Sequence, residues 1–388
     1  MSVFNSFFMG GYECADHINR SGNRVNLLVE TQHDTRVLED YNELLSLGIK
    51  VVREGICWSS VEKAPYVFDF SEVLNRMEAA ASCGIQVIWD LCHFGYPDGL
   101  FPTHPHFCDR FVMLAKAFAD FHKAHSKQPL FVIPINEISF LSWHSGDVRG
   151  TVPFAVNAGF DMKYHLCKAA ILAINQLRET DPNCIIMLVE PLIHVHQDPN
   201  NLECQYHIGF NESQFQAMDI ISGRMCPELG GSENHYDLLG FNYYYNCQWY
   251  TTGETVEWPE VYEKRLPLSL LLQHAYNRYK KPFILSETGH FGAGRVDWIQ
   301  EVTIECLKAL ELNIPLLGIC IYPITDRPDW DDLSSYSNCG IWDLDENKNR
   351  VRHQSYFEAV KDCVKITNEF RELNYNPVYI QNTEKISQ

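Results

Sequence analysis

The stretches LFVIPINEI (130–138) and PFILSETG (282–289) decide the fold of this chain. Each is a short apolar run that reads as a strand buried on both faces, and each closes on a glutamate, Glu137 or Glu287, where strand gives way to loop. Working outward, runs of the same kind recur at 6–13, 49–58, 85–94, 184–191, 236–244 and 315–323, which makes eight. Helical patterns separate them near 34–46, 71–82, 107–124, 161–180, 213–222, 266–280 and 296–312, and one more at 353–368 follows the last strand. Buried strands alternating with helices imply a parallel sheet, and eight repeats imply closure into a (β/α)8 TIM barrel, an α/β fold with extended βα loops at its C-terminal face. An open doubly wound sheet is the alternative. One domain is expected over residues 1–388, with a barrel core at about 6–370 and a C-terminal tail beyond it.

Capping residues support the count. Asp34 precedes the first helical pattern and Gly48 follows it, while Ser71 and Gly84 bracket the second. The longest strand-to-helix connections, 94–106, 138–160, 191–212, 244–265 and 323–352, all belong on the C-terminal face, where barrel ligand sites are built.

Composition narrows the partners. A formal charge of −19 argues against nucleic acid or an anionic membrane surface, since both select clustered Lys and Arg. Neutral or cationic ligands fit better, and the 13% aromatic content is rich in the ring systems that sugar-binding clefts use. The fourteen cysteines are scattered singly without a CxxC pair, which predicts a reduced, cytoplasmic chain. The N-terminal MSVFNSFFMGGYE lacks the basic start and apolar stretch of a signal peptide, and no apolar run reaches membrane-helix length.

Polar residues at the strand ends carry the chemistry. The eight ends offer Glu13 with His17, Arg53 with Glu54, Asp90 with His93, Asn136 with Glu137, Glu190, Asn242 with Tyr243 and Tyr244, Glu287, and Tyr322 leading to Asp326, Asp329 and Trp330. An arginine on the second strand can pair with one glutamate while burial keeps the other protonated, so that one attacks and the other donates a proton. Tyr243 is expected to bond the nucleophile and Asn136 to reach a sugar hydroxyl. His194 and His196 form an H-x-H, but no further ligands assemble around them, so neither a metal nor another cofactor is expected.

These residues resemble the family 1 glycoside hydrolases, the β-glucosidase and β-galactosidase group, over nearly the whole chain from FFMGG to Trp342. Asn136-Glu137 is similar to that family's Asn-Glu-Pro at the acid/base, with Ile138 for proline, and Ser286-Glu287-Thr288-Gly289 to its Thr-Glu-Asn-Gly at the nucleophile. Arg53 and Trp58 match an Arg-x-x-x-x-Trp pattern, His93 a glycone-contacting histidine, Asn242-Tyr243-Tyr244 an Asn-Tyr-Tyr, and Asp329-Trp330 a Glu-Trp pair that grips the far hydroxyls. The strand-one glutamine is replaced, with His17 its nearest equivalent and Glu13 a competitor, and Tyr322 stands for a tryptophan. The resemblance implies a retaining exo-β-glycosidase acting on a small carbohydrate substrate, with Glu137 as acid/base and Glu287 as nucleophile, supported by Arg53, Asn136 and Tyr243. His93, Asn242, Tyr322, Asp329, Trp330, Glu13 and His17 would hold the sugar. A transglycosylase on the same site and a non-catalytic carbohydrate-binding barrel are the alternatives; a phosphoglycosidase fits poorly, because DRPDWDDLSS (326–335) is strongly acidic.

Overall fold

The computed structural model describes residues 3–374 apart from 202, 204 and 260–263. Eight strands, β1 (Phe8–Gly11), β2 (Val51–Gly55), β3 (Gln86–Cys92), β4 (Phe131–Ile135), β5 (Ile185–Pro191), β6 (Leu238–Asn242), β7 (Phe283–Thr288) and β8 (Leu316–Ile321), form a closed barrel. Each pairs in parallel with its sequence neighbours, and β8 returns to β1 with Ile319 opposite Phe8. The eight principal helices are α1 (His33–Leu45), α2 (Ser71–Cys83), α3 (Phe107–His125), α4 (Gly159–Thr180), α5 (Gln216–Ile221), α6 (Leu268–Tyr279), α7 (Arg295–Glu311) and α8 (Gln354–Asn374).

Strand alternation sorts the side chains. One buried cluster, including Met9, Val51, Ile88, Phe131, Ile133 and Met187, fills the barrel interior. A second, larger cluster lies between the strands and the helices, where Val52, Trp89, Val132 and Leu188 meet Leu44, Met77, Phe118 and Ile174. On β2, Val51 and Arg53 therefore face the interior, while Glu54 faces the helices. There Glu54 takes hydrogen bonds from His33 on α1 (2.8 Å), Tyr41 (2.8 Å) and Arg76 on α2 (2.9 Å).

Several element boundaries differ from the sequence reading. Asp34 is not the cap of α1: the helix opens at His33 behind Gln32 in a left-handed conformation. Ser71 is the first residue of α2 rather than its cap, and Asp69 accepts its backbone N–H (3.0 Å). The 138–160 connection contains a helix, Ile138–Gly146, whose start, Ile138 to Leu141, shows no helical period. The His194–His196 segment is a short strand paired with Gln248–Tyr250. The expected tail beyond 370 begins inside α8, and its part from 375 lies outside the described residues. The thirteen described cysteines are free, and no helix among the described residues is long and apolar enough to cross a membrane.

The top of β1 packs closely on the residue after β8. A Cβ on Gly11 would lie 2.1 Å from a ring carbon of Tyr322, which is itself buried. Gly11→Ala is expected to lower stability by about 1–3 kcal/mol, because a packed ring must move to admit the methyl. Thermal melting measures this, and an unchanged midpoint would mean the Tyr322 ring yields freely.

Candidate active site

A polar layer caps the apolar barrel interior, and Arg53 is its centre. The side chain is 1% exposed, so its charge requires partners inside the protein. All five of its N–H groups have one: Nε and Nη2 donate to the two oxygens of Asp90 (3.1 and 2.7 Å), Nη2 also to Asn136 Oδ1 (2.7 Å), and Nη1 to Glu287 Oε1 (2.6 Å) and the Ser286 carbonyl (3.2 Å). Arg53 thus joins β2 to β3, β4 and β7.

Glu287 ends β7 with its carboxylate held from two sides. Arg53 holds Oε1, and the Tyr244 hydroxyl donates to Oε2 at 2.7 Å. The expectation that Tyr243 bonds this glutamate is overturned. Tyr243 points outward, where its ring stacks on Trp298 of α7 and its hydroxyl meets Gln248 (2.8 Å) and Arg265 (3.1 Å). Alternation explains it: Leu238 and Asn242 of β6 face inward and Phe241 outward, so Tyr243 faces out and Tyr244 in. Counting the period from Asn242 would have found Tyr244.

Glu137 follows β4 with φ 47° and ψ 59°, a left-handed conformation that is costly for a residue with a side chain. Its Oε1 accepts from Asn242 Nδ2 (2.8 Å), and Asn242 Oδ1 accepts from Ser286 (2.6 Å). Asn242, expected at the sugar, is thereby committed to orienting Glu137. Burial, then the like charge of Glu287, pushes the Glu137 carboxyl well above the ordinary carboxylate range. Asn136 beside it is fully buried, with Nδ2 lacking a partner among the described residues.

The other predicted residues gather at one end of the same cleft, with one exception. His93 Nδ1 meets Asp90 (2.8 Å) and its Nε2 lies 3.3 Å from the Tyr322 hydroxyl. Burial alone would lower the imidazole pKa, but the hydrogen bond and charge of Asp90, with Glu13 and Glu287, leave it raised. Glu13 accepts from the backbone of Cys14 and Ala15 (both 3.1 Å) and lies 3.3 Å from Arg327. Trp330 and Asp329 line the cleft, Asp329 also closing its own turn by accepting from Asp331 (2.8 Å). His17 is the exception. It lies behind Trp330, edge to face at 4.7 Å, and burial drives its pKa down to about 3, so it buttresses the indole from outside the cleft. Glu13 is therefore the strand-one residue that reaches the cleft.

The cleft encloses about 620 Å³. Its outer wall is aromatic, with Phe140, Trp143, Tyr245, Trp249 and Phe291, which the sequence reading did not single out because they lie in the connections beyond the barrel strands, outside the register of those strands. Cys14, Asp90 and His93 bring ligand-type atoms within 4.8 Å of one another. Asp90 is already engaged by Arg53 and His93, and burial pushes the Cys14 thiol well up, away from the thiolate a metal needs. The set reads as a hydrogen-bond network. His194 and His196 lie on their ribbon, and burial lowers His194 to about 4.

No protein-family model matches the sequence, and no curated protein is similar to it in sequence. Its architecture is similar to solved structures. The family 1 β-glucosidase from Thermotoga maritima aligns with a TM-score of 0.70 at 17% identity, over 86% of this chain and 87% of that one. The β-glucosidase from the same organism in complex with deoxynojirimycin aligns with a TM-score of 0.72 at 17% identity, over 94% of this chain and 99% of that one. The complex with glucoimidazole gives 0.70 at 16%, over 86% and 87%. The chain has the (β/α)8-barrel fold of these enzymes.

The raised Glu137 has a consequence for stability. In the unfolded chain a glutamate titrates near about 4.3, and above that pH the folded state holds the extra proton, so stability falls as pH rises toward the folded value. Glu137→Gln removes that loss. The variant should melt at least about 2 °C above the parent at pH 8 and with it at pH 4; melting below the parent at pH 8 contradicts the raised pKa.

Proposed function

We propose that this chain is a retaining exo-β-glycosidase acting on a β-glucoside- or β-galactoside-like substrate through a covalent glycosyl-enzyme. The observation that carries the reading is two buried carboxyls in one cleft, held differently: Glu287 by Arg53 and Tyr244, Glu137 by Asn242 and with its proton retained. The fold shared with β-glucosidases, one of them in complex with deoxynojirimycin, supports it.

In the first step the Glu287 carboxylate attacks the anomeric carbon and the glycosidic C–O bond breaks. Glu137 gives its proton to the departing oxygen. In the second, Glu137, now a carboxylate, takes a proton from water as the water oxygen attacks the anomeric carbon, releasing Glu287 and the sugar. Tyr244 and Arg53 hold the two nucleophile oxygens before attack, when the negative charge is greatest. His93, Glu13, Arg327 and Trp330 form the end of the cleft suited to the sugar, and the aromatic wall suits the aglycone. The same reading takes residues 1–388 as one domain, and the singly scattered cysteines favour a reduced, cytoplasmic setting.

A 2-deoxy-2-fluoro-β-glycoside with a dinitrophenyl leaving group should label Glu287, found by mass spectrometry of the peptide. An unlabelled protein, or a label elsewhere, would favour the carbohydrate-binding barrel or a different nucleophile. Glu137→Ala should cost roughly 10²–10⁴-fold on alkyl glycosides and far less on dinitrophenyl glycosides, because only the former need a proton. Equal losses on both would remove Glu137 as the acid.

The two tyrosines separate cleanly. Tyr244→Phe deletes a hydrogen bond to a charged group, about 1.5–3 kcal/mol, so kcat/KM should fall roughly ten- to hundredfold. Tyr243→Phe should stay within about threefold of the parent. The reverse order in nitrophenyl glycoside kinetics would contradict the assignment of Tyr244.

A further inference from the structure

Glu190 is a buried carboxyl that the two steps above leave unused. On β5 the inward residues are Ile185, Met187 and Val189, so Glu190 faces outward at the strand's end, between the Ile138–Gly146 helix and α4. It is 3% exposed, and no cation among the described residues lies within ion-pair distance of it. Lys163 of α4 is the cation that acts on it from further off, and the Lys163 ammonium itself donates to Gln216 (2.9 Å).

The carboxyl has a task in the backbone instead. The helix that begins at Ile138 needs acceptors for its first amides, and its N-cap residue, Glu137, supplies no side-chain bond because that side chain faces the cleft. Glu190 supplies one from the neighbouring strand: its Oε2 and Oε1 accept the Ser139 N–H at 3.0 and 3.3 Å. The Glu137 N–H in turn donates to the Val189 carbonyl at 3.0 Å. Both sides of the left-handed Glu137 are thus tied to β5.

We propose that Glu190 is a positioning residue for Glu137: it caps, from the adjacent strand, the helix that Glu137 opens, and its negative charge opposes ionisation of Glu137. This rests on the reading of Glu137 as acid/base. Burial pushes Glu190 up to about 7, against the Ser139 hydrogen bond and the charge of Lys163, so it changes charge near neutrality. The groups around the pair are Glu287, Arg53, Asn242, Tyr244 and Cys247 on the Glu137 side, and Lys163 and Cys167 on the Glu190 side. Glu287 is the larger like-charge influence on Glu137 and Glu190 the second.

Glu190→Gln keeps an acceptor oxygen and removes the charge; Glu190→Ala removes both. In Glu190→Gln the alkaline limb of kcat/KM should move to lower pH by about half a unit or more, with the rate below that limb within about threefold of the parent. Glu190→Ala should lose at least about tenfold in kcat on alkyl glycosides and less than about threefold on dinitrophenyl glycosides, since only proton donation is disturbed. Carbon-13 carboxyl NMR of Glu137, assigned with Glu137→Gln, should show its titration shifting down in Glu190→Gln. That measurement needs no turnover, so it stands apart from the fluoro-sugar test of the glycosidase reading. Identical Glu137 titration in parent and Glu190→Gln overturns the proposal, as do equal losses on both substrate classes in a folded Glu190→Ala. If Glu190→Ala does not fold, the Glu137 titration decides.

Discussion

The charge of Arg53 inside the barrel is the constraint around which the upper layer is arranged. An arginine that deep is tolerable only when every N–H is bonded and its charge is matched. Asp90, Glu287, Asn136 and the Ser286 carbonyl meet that demand, and they come from β3, β7, β4 and β7. The requirement for partners therefore fixes which strands must present oxygen at one level of the barrel. Below that level Met9, Val51, Ile88 and Ile133 fill the interior, so the polar layer has a rigid floor.

That arrangement gives two carboxyls in one cleft unequal surroundings. Glu287 has a guanidinium and a phenol on its two oxygens. Glu137 has a carboxamide donor, apolar burial and two further carboxyls nearby. Difference of environment, rather than of residue type, is what allows one glutamate to serve as base or nucleophile while the other keeps a proton. The left-handed backbone at Glu137 belongs to the same design: it turns the side chain into the cleft and leaves the following helix to be capped from β5.

Much of the fold was legible because the barrel strands are continuous apolar runs of the right length, and each of the eight lies within the range read for it. The Ile138–Gly146 helix was not, because it begins only two residues after β4, without the loop or capping signal that would mark a helix start. His17 and Glu13 could not be ranked from sequence, since both follow β1 in irregular chain, where neither period applies. In the fold Glu13 reaches the cleft and His17 stands behind Trp330.

The sequence by itself determined the strand count, the two glutamates at the ends of β4 and β7, and the arginine on β2, because local hydrophobic pattern and residue type suffice for those. Tertiary structure decided which neighbours serve them. Tyr244 rather than Tyr243 holds Glu287, Asn242 holds Glu137 rather than standing free, and Glu190 caps a helix from another strand. Each of these is a contact between segments distant in the chain, set by which way a strand end points once the barrel has closed, and strand twist and closure are properties of the assembled sheet.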